Sequence, residues 1–377
     1  MTHIEKYKSI YIISTVFGLY VLISLPHLMN NDFWAPDADR IAMDGIFLLD
    51  FIKDLPSSLL HIYDYTTEYY AKYPALSMGY RPPFFPLVEA FFYFVFGLSH
   101  ISAKMAVLSF LALGMFFWFL LVRETHDTTT AVISLLLWTT NPVIYKYSQY
   151  TMLEIPTLSM CIICVYYLYK YVSCASIRYA ILLGTTIGLA LWTNQKAGFL
   201  LPIVLLYPIL AKKPKLLFAK SSCTAYGIIL AFLIPLAWVT IWLGDQNIAQ
   251  SVGTGIGFNR FCASELSKNI YYLYNDHFSV PVLLLALVGI FFALIRRNSK
   301  TLIYASAILC VYLFFTFIVH KIPRYCMYWI PFFSFFAALG LQRLIYSLNK
   351  FMKTNKTVIN YALLGLPVAF QLCLLPN

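Results

Sequence analysis

Three carboxylates in the sequence have a type and a setting suited to acid–base chemistry. Asp37 and Asp39 lie in residues 34–44, the first strongly acidic stretch after the first hydrophobic run, and Glu154 separates two later runs. A well-placed carboxylate can take the proton of a hydroxyl group as that hydroxyl attacks, which is the role of a general base. Each carboxylate could equally cap a helix. We predict Asp37 as the base, assisted by Asp39, with Glu154 as the third catalytic residue, binding an acceptor or a cation.

Isolated cations occur in the same set of loops. They are Arg81, Lys196, Arg260, Lys321 and Arg324. Several of them converging on one cavity would bind a phosphate group and stabilise it as it leaves. Lys196 has a second interpretation, because a lysine at a helix end also extends its ammonium group toward the membrane surface. Whether the cations converge depends on the fold.

Asp37 and Glu154 are also the candidate ligands of a divalent cation, since carboxylate oxygens suit hard metal ions. None of the seven histidines has the i, i+4 spacing of a metal pair, so we predict no histidine metal site. Residues 253–257 are rich in glycine but lack the Lys-Ser/Thr of a phosphate-binding loop. The sequence therefore predicts no nucleotide and no certain cofactor, and leaves a divalent cation as an alternative.

The elements that position these residues are set by an unusual composition. The chain is 60% hydrophobic and 11% charged, with a mean hydropathy of +0.73, whereas about a quarter of the residues are charged in a soluble domain. Long apolar runs recur from end to end, which predicts an all-α, polytopic membrane protein. The net charge of +11 comes without a basic helix interleaved with aromatic residues, so we predict no nucleic-acid partner.

Eleven apolar runs are long enough to cross a hydrocarbon core of roughly 30 Å as helices. We predict spans at approximately residues 10–28, 101–122, 130–147, 156–173, 178–194, 197–211, 221–243, 279–295, 302–319, 325–343 and 358–375.

A twelfth run, residues 84–96, decides on which side of the membrane every later loop lies. It is short for a span, has Glu89 in its middle and begins among prolines. If this run lies at the interface and the N-terminus is inside, the basic clusters all fall inside, as the positive-inside rule requires. If it crosses the membrane, the later clusters move outside. We therefore predict a juxtamembrane helix here.

This topology puts two large loops, residues 29–100 and 244–278, outside. In the first loop, apolar residues from Ile41 to Leu55 recur with helical spacing and predict a second juxtamembrane helix, with Asp37 and Asp39 near its N-terminus. No soluble domain is evident, so residues 1–377 are predicted to form a single integral membrane domain. In a prokaryote it would lie in the inner or plasma membrane of the cell envelope, with the active site facing the periplasm or exterior.

Five short motifs occur in an order typical of one enzyme family. They are Trp34-Ala-Pro-Asp37-Ala-Asp39-Arg40-Ile-Ala42, Tyr80-Arg81-Pro82-Pro83, Glu154-Ile155-Pro156, Lys196-Ala197-Gly198 and Asn259-Arg260-Phe261. As a set they resemble the motifs of the C-fold glycosyltransferases that use polyprenyl-phosphate sugars, such as lipid A aminoarabinose transferases and protein O-mannosyltransferases (glycosyltransferase family 39). The similarity covers roughly the first 340 residues and implies that the Pro-Pro segment is juxtamembrane.

The resemblance implies a membrane glycosyltransferase that moves a hexose or pentose from a polyprenyl-phosphate donor to a hydroxyl of a lipid, glycan or protein at the outer face. The displacement would be single and inverting. Arg81, Lys196 and Arg260, with Arg324, would hold the donor phosphate, and Tyr80 would contact substrate. Ala38 replaces the family's second acid and Ile41 its tyrosine, which leaves metal binding and the role of Asp39 open.

Two other functions stay open at this point. A secondary transporter or a flippase of lipid-linked oligosaccharides would place paired ionisable residues at mid-membrane in repeat-related helices, whereas the charges here lie at span ends and in loops. A catalytically inactive relative that acts in assembly is the other, because of Ala38 and Ile41.

Overall fold

A computed structural model of the chain describes residues 3–30, 37–78, 80–243, 263–296, 298–318 and 321–351, and parts of 365–373. These residues contain helices and no strand, with one isolated bridge between Met78 and Arg81. The predicted all-α class is therefore confirmed. The helices are α1 (His3–Leu28), α2 (Ala38–Lys53), α3 (Ser57–Leu60), α4 (Ile62–Lys72), α5 (Phe84–Phe96), α6 (His100–Thr125), α7 (Thr128–Thr139), α8 (Pro142–Ser148), α9 (Glu154–Cys174), α10 (Ile177–Thr193), α11 (Leu200–Leu210), α12 (Lys220–Leu243), α13 (Ala263–Tyr272), α14 (Val280–Arg296), α15 (Leu302–Phe317), α16 (Pro323–Cys326) and α17 (Ile330–Phe351).

Within the described residues, six helical stretches are long and apolar enough to cross a membrane. They are 9–28, 100–125, 154–174, 220–238, 299–317 and 323–350. Shorter apolar helices include α7, α10, α14 and the stretch 195–210. The predicted spans correspond to these elements, except that the span predicted at 358–375 lies largely outside the described residues.

The predicted span at 130–147 is two helices rather than one. α7 ends at Thr139 and α8 begins at Pro142, because proline has no N–H to continue the helical hydrogen bonds. Asn141 caps the second helix by accepting from the backbone N–H of Val143 at 3.0 Å. The Asn141-Pro142 pair was a local sequence signal for this break. The prediction of one span relied on the length of the apolar run instead.

The two juxtamembrane helices predicted from the sequence are α2 and α5. With 13 residues, α5 is about 20 Å long at 1.5 Å per residue, shorter than a hydrocarbon core of roughly 30 Å. α2 packs on α5 and buries one face, which includes Ile41, Ala42 and Phe47. α4, between them, was not predicted. None of its residues is buried, and it contacts α2 through half-buried tyrosines, Tyr65 and Tyr69, rather than through aliphatic residues.

The long helices form a bundle with an aromatic core. Trp118 of α6 is fully buried, and its Nε1 donates to Ser134 Oγ of α7 at 3.1 Å. α14 crosses α17 so closely that a Cβ on Gly289 would lie 1.8 Å from the Phe336 carbonyl oxygen, so no other residue fits there. This packing fixes how the bundle helices lie against one another. The candidate site is built from residues at the ends of these helices.

Candidate active site

Asp37 is the centre of a cluster of charged side chains. It occupies the N-cap position of α2, but its side chain makes no capping hydrogen bond. Instead its two carboxylate oxygens pair with two guanidinium groups: Oδ1 lies 3.1 Å from Arg81 Nη2, and Oδ2 lies 3.0 Å from Arg324 Nη2. The capping interpretation of Asp37 is therefore wrong, and the carboxylate faces cations that come from two distant parts of the chain.

Arg81 is held by the turn that precedes α5. Its backbone N–H donates to the Ser77 carbonyl at 3.1 Å, and its Nη1 donates to the backbone carbonyl of Asp37 at 3.4 Å. Arg81 thus contacts both the side chain and the main chain of Asp37, which ties the start of α2 to the start of α5.

Arg324 connects the two candidate carboxylates. It lies in α16, between α15 and α17, and its Nε is 3.6 Å from Glu154 Oε1 while its Nη2 binds Asp37. Glu154 is the first residue of α9 and is 3% exposed, and within the described part of the chain its Oε2 has no hydrogen-bond partner. A buried carboxylate oxygen without a partner is costly, so it is a position where a substrate hydroxyl could donate.

Lys196 completes the cluster from the turn between α10 and α11. Asn194 fixes this turn by accepting from the backbone N–H of Lys196 at 3.0 Å. The ammonium group lies 3.5 Å from the centre of the Tyr325 ring, which follows Arg324 in the chain. Burial lowers the pKa of Lys196 to about 8, with Glu154 opposing the shift. The structure thus brings Lys196 near Arg81 and Arg324, which the sequence alone left open.

The charges in the cluster do not cancel. Arg81, Arg324 and Lys196 contribute three positive charges, against two negative charges from Asp37 and Glu154. Burial alone would raise the pKa of Asp37, but Arg81 and Arg324 outweigh it and hold the pKa below its ordinary value. With both carboxylates ionised the cluster carries one excess positive charge, which suits an anionic ligand.

Other candidates lie elsewhere. Asp39 is exposed on α2, and its carboxylate accepts from the neighbouring N–H of Arg40 at 2.9 Å, away from the pairs that Asp37 makes. Lys321 pairs with Glu265 at 2.7 Å rather than with the cluster. Tyr80 is next to Arg81 and 36% exposed, so its ring is open to a ligand. Arg260 lies outside the described residues.

A divalent cation fits poorly between Asp37 and Glu154. In the part of the chain that the structure describes, no three His, Cys, Asp or Glu residues gather as metal ligands. Arg324 already contacts both carboxylates, so a metal ion there would have to displace its guanidinium group. The divalent cation stays an untested alternative, and the chemistry below is derived without it.

Sequence reasoning missed the support behind Arg324. The ring of His277 lies between two groups of this segment: its Nε2 is 2.9 Å from the Pro323 carbonyl, and Trp329 Nε1 donates to its Nδ1 at 2.8 Å. Both bonds form only if the imidazole is neutral with its proton on Nε2. His277 is fully buried, and this burial lowers its pKa to about 4. A lone histidine at a loop end carried no signal for this role.

His277→Phe is expected to lower the free energy of unfolding by about 1–3 kcal/mol, because it leaves two buried polar groups unpaired. The folded-state pKa is lowered from 6.5, so the stability that neutral His277 contributes is present above pH 6.5 and is lost as the pH falls toward 4. The difference between wild type and variant should therefore shrink over this range. Thermal unfolding in detergent measures it, with exposed His61→Phe as the control. A difference that grows toward pH 4 would contradict the assignment.

Part of the chain is similar to a known protein family. Residues 80–242 match the family described as dolichyl-phosphate-mannose-protein mannosyltransferase. This segment of the chain is thus similar to a glycosyltransferase family. The matched segment includes Arg81, Glu154 and Lys196, whereas Asp37 and Arg324 lie outside it. No curated protein matches the chain.

Solved glycosyltransferase structures share the fold. ArnT from Cupriavidus metallidurans bound to undecaprenyl phosphate superposes with a TM-score of 0.62 at 16% identity, and its apo state with 0.65 at 17%, each over 89% of this chain and 62% of ArnT. The apo oligosaccharyltransferase of Archaeoglobus fulgidus gives 0.59 at 13%, over 99% of this chain and 56% of that protein. The chain thus spans less than two thirds of these proteins. It is a multi-pass membrane protein with their helical fold, as the resemblance in the motifs predicted.

Proposed function

We propose that the protein is a membrane glycosyltransferase that moves one sugar from a polyprenyl-phosphate donor to a hydroxyl acceptor at the outer face of the membrane. The observation that carries the proposal is the pairing of Asp37 with Arg81 and Arg324, beside Glu154 and Lys196. A carboxylate beside an excess of cations is the arrangement that such a transfer requires, and this supports the proposal. The family match supports the reaction class, and ArnT, with undecaprenyl phosphate bound, supports the lipid-linked donor.

The transfer is a single displacement at the anomeric carbon. The acceptor oxygen forms a bond to C1 of the sugar, the bond from C1 to the phosphate oxygen breaks, and the hydroxyl proton passes to the carboxylate of Asp37. The polyprenyl phosphate leaves with one more negative charge than it had in the donor. Arg81, Arg324 and Lys196 stabilise that developing charge, which makes them more valuable in the transition state than in the ground state. Attack opposite the leaving group inverts the anomeric centre.

Donor phosphate and Asp37 compete for the same guanidinium groups. While Arg81 and Arg324 pair with Asp37, its pKa is lowered and it is a weak base. A phosphate that accepts hydrogen bonds from these arginines weakens their hold on the carboxylate. The pKa of Asp37 then rises toward its ordinary value, and an oxygen becomes available for the acceptor hydroxyl. Binding of the donor therefore switches on the base.

The outer face is proposed from the distribution of charge. The basic clusters of the sequence fall on one side only if α5 does not cross, and α5, with 13 residues and Glu89 in its middle, is short for a span. Asp37 and Arg81 then lie in the large outer loop, at the depth of lipid headgroups, where the phosphate of a polyprenyl donor resides. The acceptor is a hydroxyl of a lipid, glycan or protein, and Glu154 is placed to accept a hydrogen bond from it.

The test is transfer from radiolabelled polyprenyl-phosphate sugars by purified protein in nanodiscs, with membrane lipid and protein extracts as acceptors. We expect labelled product with wild type, with and without chelator, and none with Asp37→Asn. Loss of turnover in chelator, restored by Mg²⁺, would add the divalent cation. Movement of donor across vesicle membranes without transfer would favour the transporter or flippase. Absence of both activities with every donor would favour an inactive relative.

A further inference from the structure

Two buried carboxyl groups lie between α2 and α5 and are not used in the proposed reaction. Asp44 of α2 and Glu89 of α5 both have zero exposure to solvent. Asp44 is hydrogen-bonded, whereas neither carboxyl oxygen of Glu89 has a hydrogen-bond partner within the described residues. An ionised carboxylate in such a place would be strongly unfavourable, so the pair requires an explanation.

Asp44 holds the turn that carries Arg81. Its carboxylate accepts from the backbone N–H of Ser77 at 2.8 Å and from Ser77 Oγ at 2.6 Å. The Ser77 carbonyl in turn accepts from the backbone N–H groups of Tyr80 at 3.0 Å and Arg81 at 3.1 Å. Arg81 then reaches back to Asp37, which lies seven residues, about two helical turns, before Asp44. A chain of polar contacts therefore starts and ends on α2. Asp44 binds Ser77, the Ser77 carbonyl binds the Arg81 backbone, and the Arg81 guanidinium pairs with Asp37.

Glu89 lies directly behind this anchor. A Cβ built on Gly45 would lie 2.8 Å from Glu89 Cβ and 3.2 Å from Glu89 Oε2, so the carboxyl group is pressed against the backbone next to Asp44. Burial raises the pKa of Glu89 well above its ordinary value, and the negative charge of Asp44 adds to the effect. Burial also raises the pKa of Asp44, to about 6, although both hydrogen bonds from Ser77 oppose it.

The groups facing the pair are few. Arg81 acts on both carboxyl groups from the turn, and Tyr70 of α4 faces Asp44 and donates from its hydroxyl to the Met78 carbonyl in the same turn. Tyr93 is the titratable neighbour on α5 itself. From α6 and α10, which also pack on α5, no charged side chain within the described residues acts on Glu89. Among the described residues, Arg81 is thus the cation that negative charge here would attract.

We propose that Asp44 is a positioning residue for Arg81, and that Glu89 must stay protonated for Arg81 to reach Asp37. The proposal rests on the proposed function, in which Arg81 binds the donor phosphate. Loss of the proton from Glu89 would put a second negative charge behind the Ser77 turn. That charge would draw Arg81 inward, away from Asp37 and from the donor. Transfer should therefore decline on the alkaline side as Glu89 ionises.

The first test separates positioning from simple stability. Asp44→Ala removes both acceptor oxygens, so the turn loses its anchor. We expect transfer to fall at least tenfold, and binding of undecaprenyl phosphate in nanodiscs to weaken. In an Arg81→Ala background the same substitution should cost nothing further. Asp50→Ala is the matched control, because Asp50 lies on the same helix and accepts from Tyr69 Oη at 3.0 Å without contacting the turn. If Asp44→Ala does not fold, Ser77→Ala removes one of the two bonds and should act in the same direction.

The second test concerns the proton. Glu89→Gln is neutral at every pH. The pKa of Lys196 is also lowered, to about 8, so the comparison is made in a Lys196→Arg background, whose cation stays charged. There we expect Glu89→Gln to keep transfer at neutral pH and to abolish the alkaline decline. The infrared C=O band of a protonated carboxylic acid should disappear in this variant. Loss of transfer at all pH values in Glu89→Gln, or an equal effect of Asp44→Ala with and without Arg81, would overturn the proposal. If wild type shows no transfer, the proposed function fails, while lipid binding and the infrared band still decide this inference.

Discussion

Replacement of Asp37 by Asn is expected to abolish transfer while leaving the protein folded and inserted in the membrane. Asparagine keeps the shape of the side chain but cannot take a proton from the acceptor hydroxyl. A positioned general base contributes about 10²- to 10⁴-fold to a rate, so the initial rate should fall by at least about a hundredfold. The rate of sugar transfer at saturating donor measures the loss, and the elution profile and unfolding midpoint report on folding.

The competition for arginines adds a second expectation for the same variant. Arg81 and Arg324 no longer face a charged carboxylate, so binding of undecaprenyl phosphate should be as tight as in wild type or tighter. Asp64→Asn, at an exposed position of α4, is the control. Asp39→Asn decides between the two candidate carboxylates of the sequence: if it abolishes transfer and Asp37→Asn does not, the base is Asp39. If Asp37→Asn and Asp39→Asn both keep full activity, the mechanism is excluded.

Arg324→Gln is the second substitution with a large expected effect, because this arginine pairs with both Asp37 and Glu154. Transfer should fall by about a hundredfold or more, since the developing charge on the leaving phosphate loses a cation. Removal of one partner of a buried ion pair costs about 3 kcal/mol or more, so the unfolding midpoint should fall too. Arg324→Lys should restore part of the stability and little of the transfer, because an ammonium group cannot bind two carboxylates as the planar guanidinium does.

A double substitution separates the two effects of Arg324. In Arg324→Gln with Glu154→Gln, the buried carboxylate no longer needs a cation, so the unfolding midpoint should recover, while transfer should stay well below that of Glu154→Gln alone. Arg178→Gln is the charge-matched control. Arg178 is exposed near the N-terminus of α10, at the end away from Lys196, so its substitution should change neither transfer nor the unfolding midpoint. If the double variant recovers transfer together with stability, Arg324 has only a structural role.

The sequence by itself determined the parts of this protein that depend on local composition and length. Runs of apolar residues long enough to cross a membrane predict helices wherever they occur, because the backbone has no other way to satisfy its hydrogen bonds in lipid. The shortness of 84–96 likewise predicts α5 as a juxtamembrane helix. Chemistry at the outer loops was predicted from carboxylates and cations that have no partner in sequence. α4 was missed because the face it turns to α2 is made of tyrosines rather than aliphatic residues, and none of its residues is buried.

Only the tertiary structure decided which charged residues meet. Asp37 and Arg324 are 287 positions apart, and their 3.0 Å contact depends on how α2, α9 and the segment before α17 pack. Asp37 and Asp39 look alike in the sequence, yet one is paired with two arginines and the other is exposed, because two residues along a helix point in different directions. The surroundings of Lys196, Glu89 and His277 were hidden for the same reason: hydrophobic packing sets where the helix ends lie relative to one another, and those ends form the site.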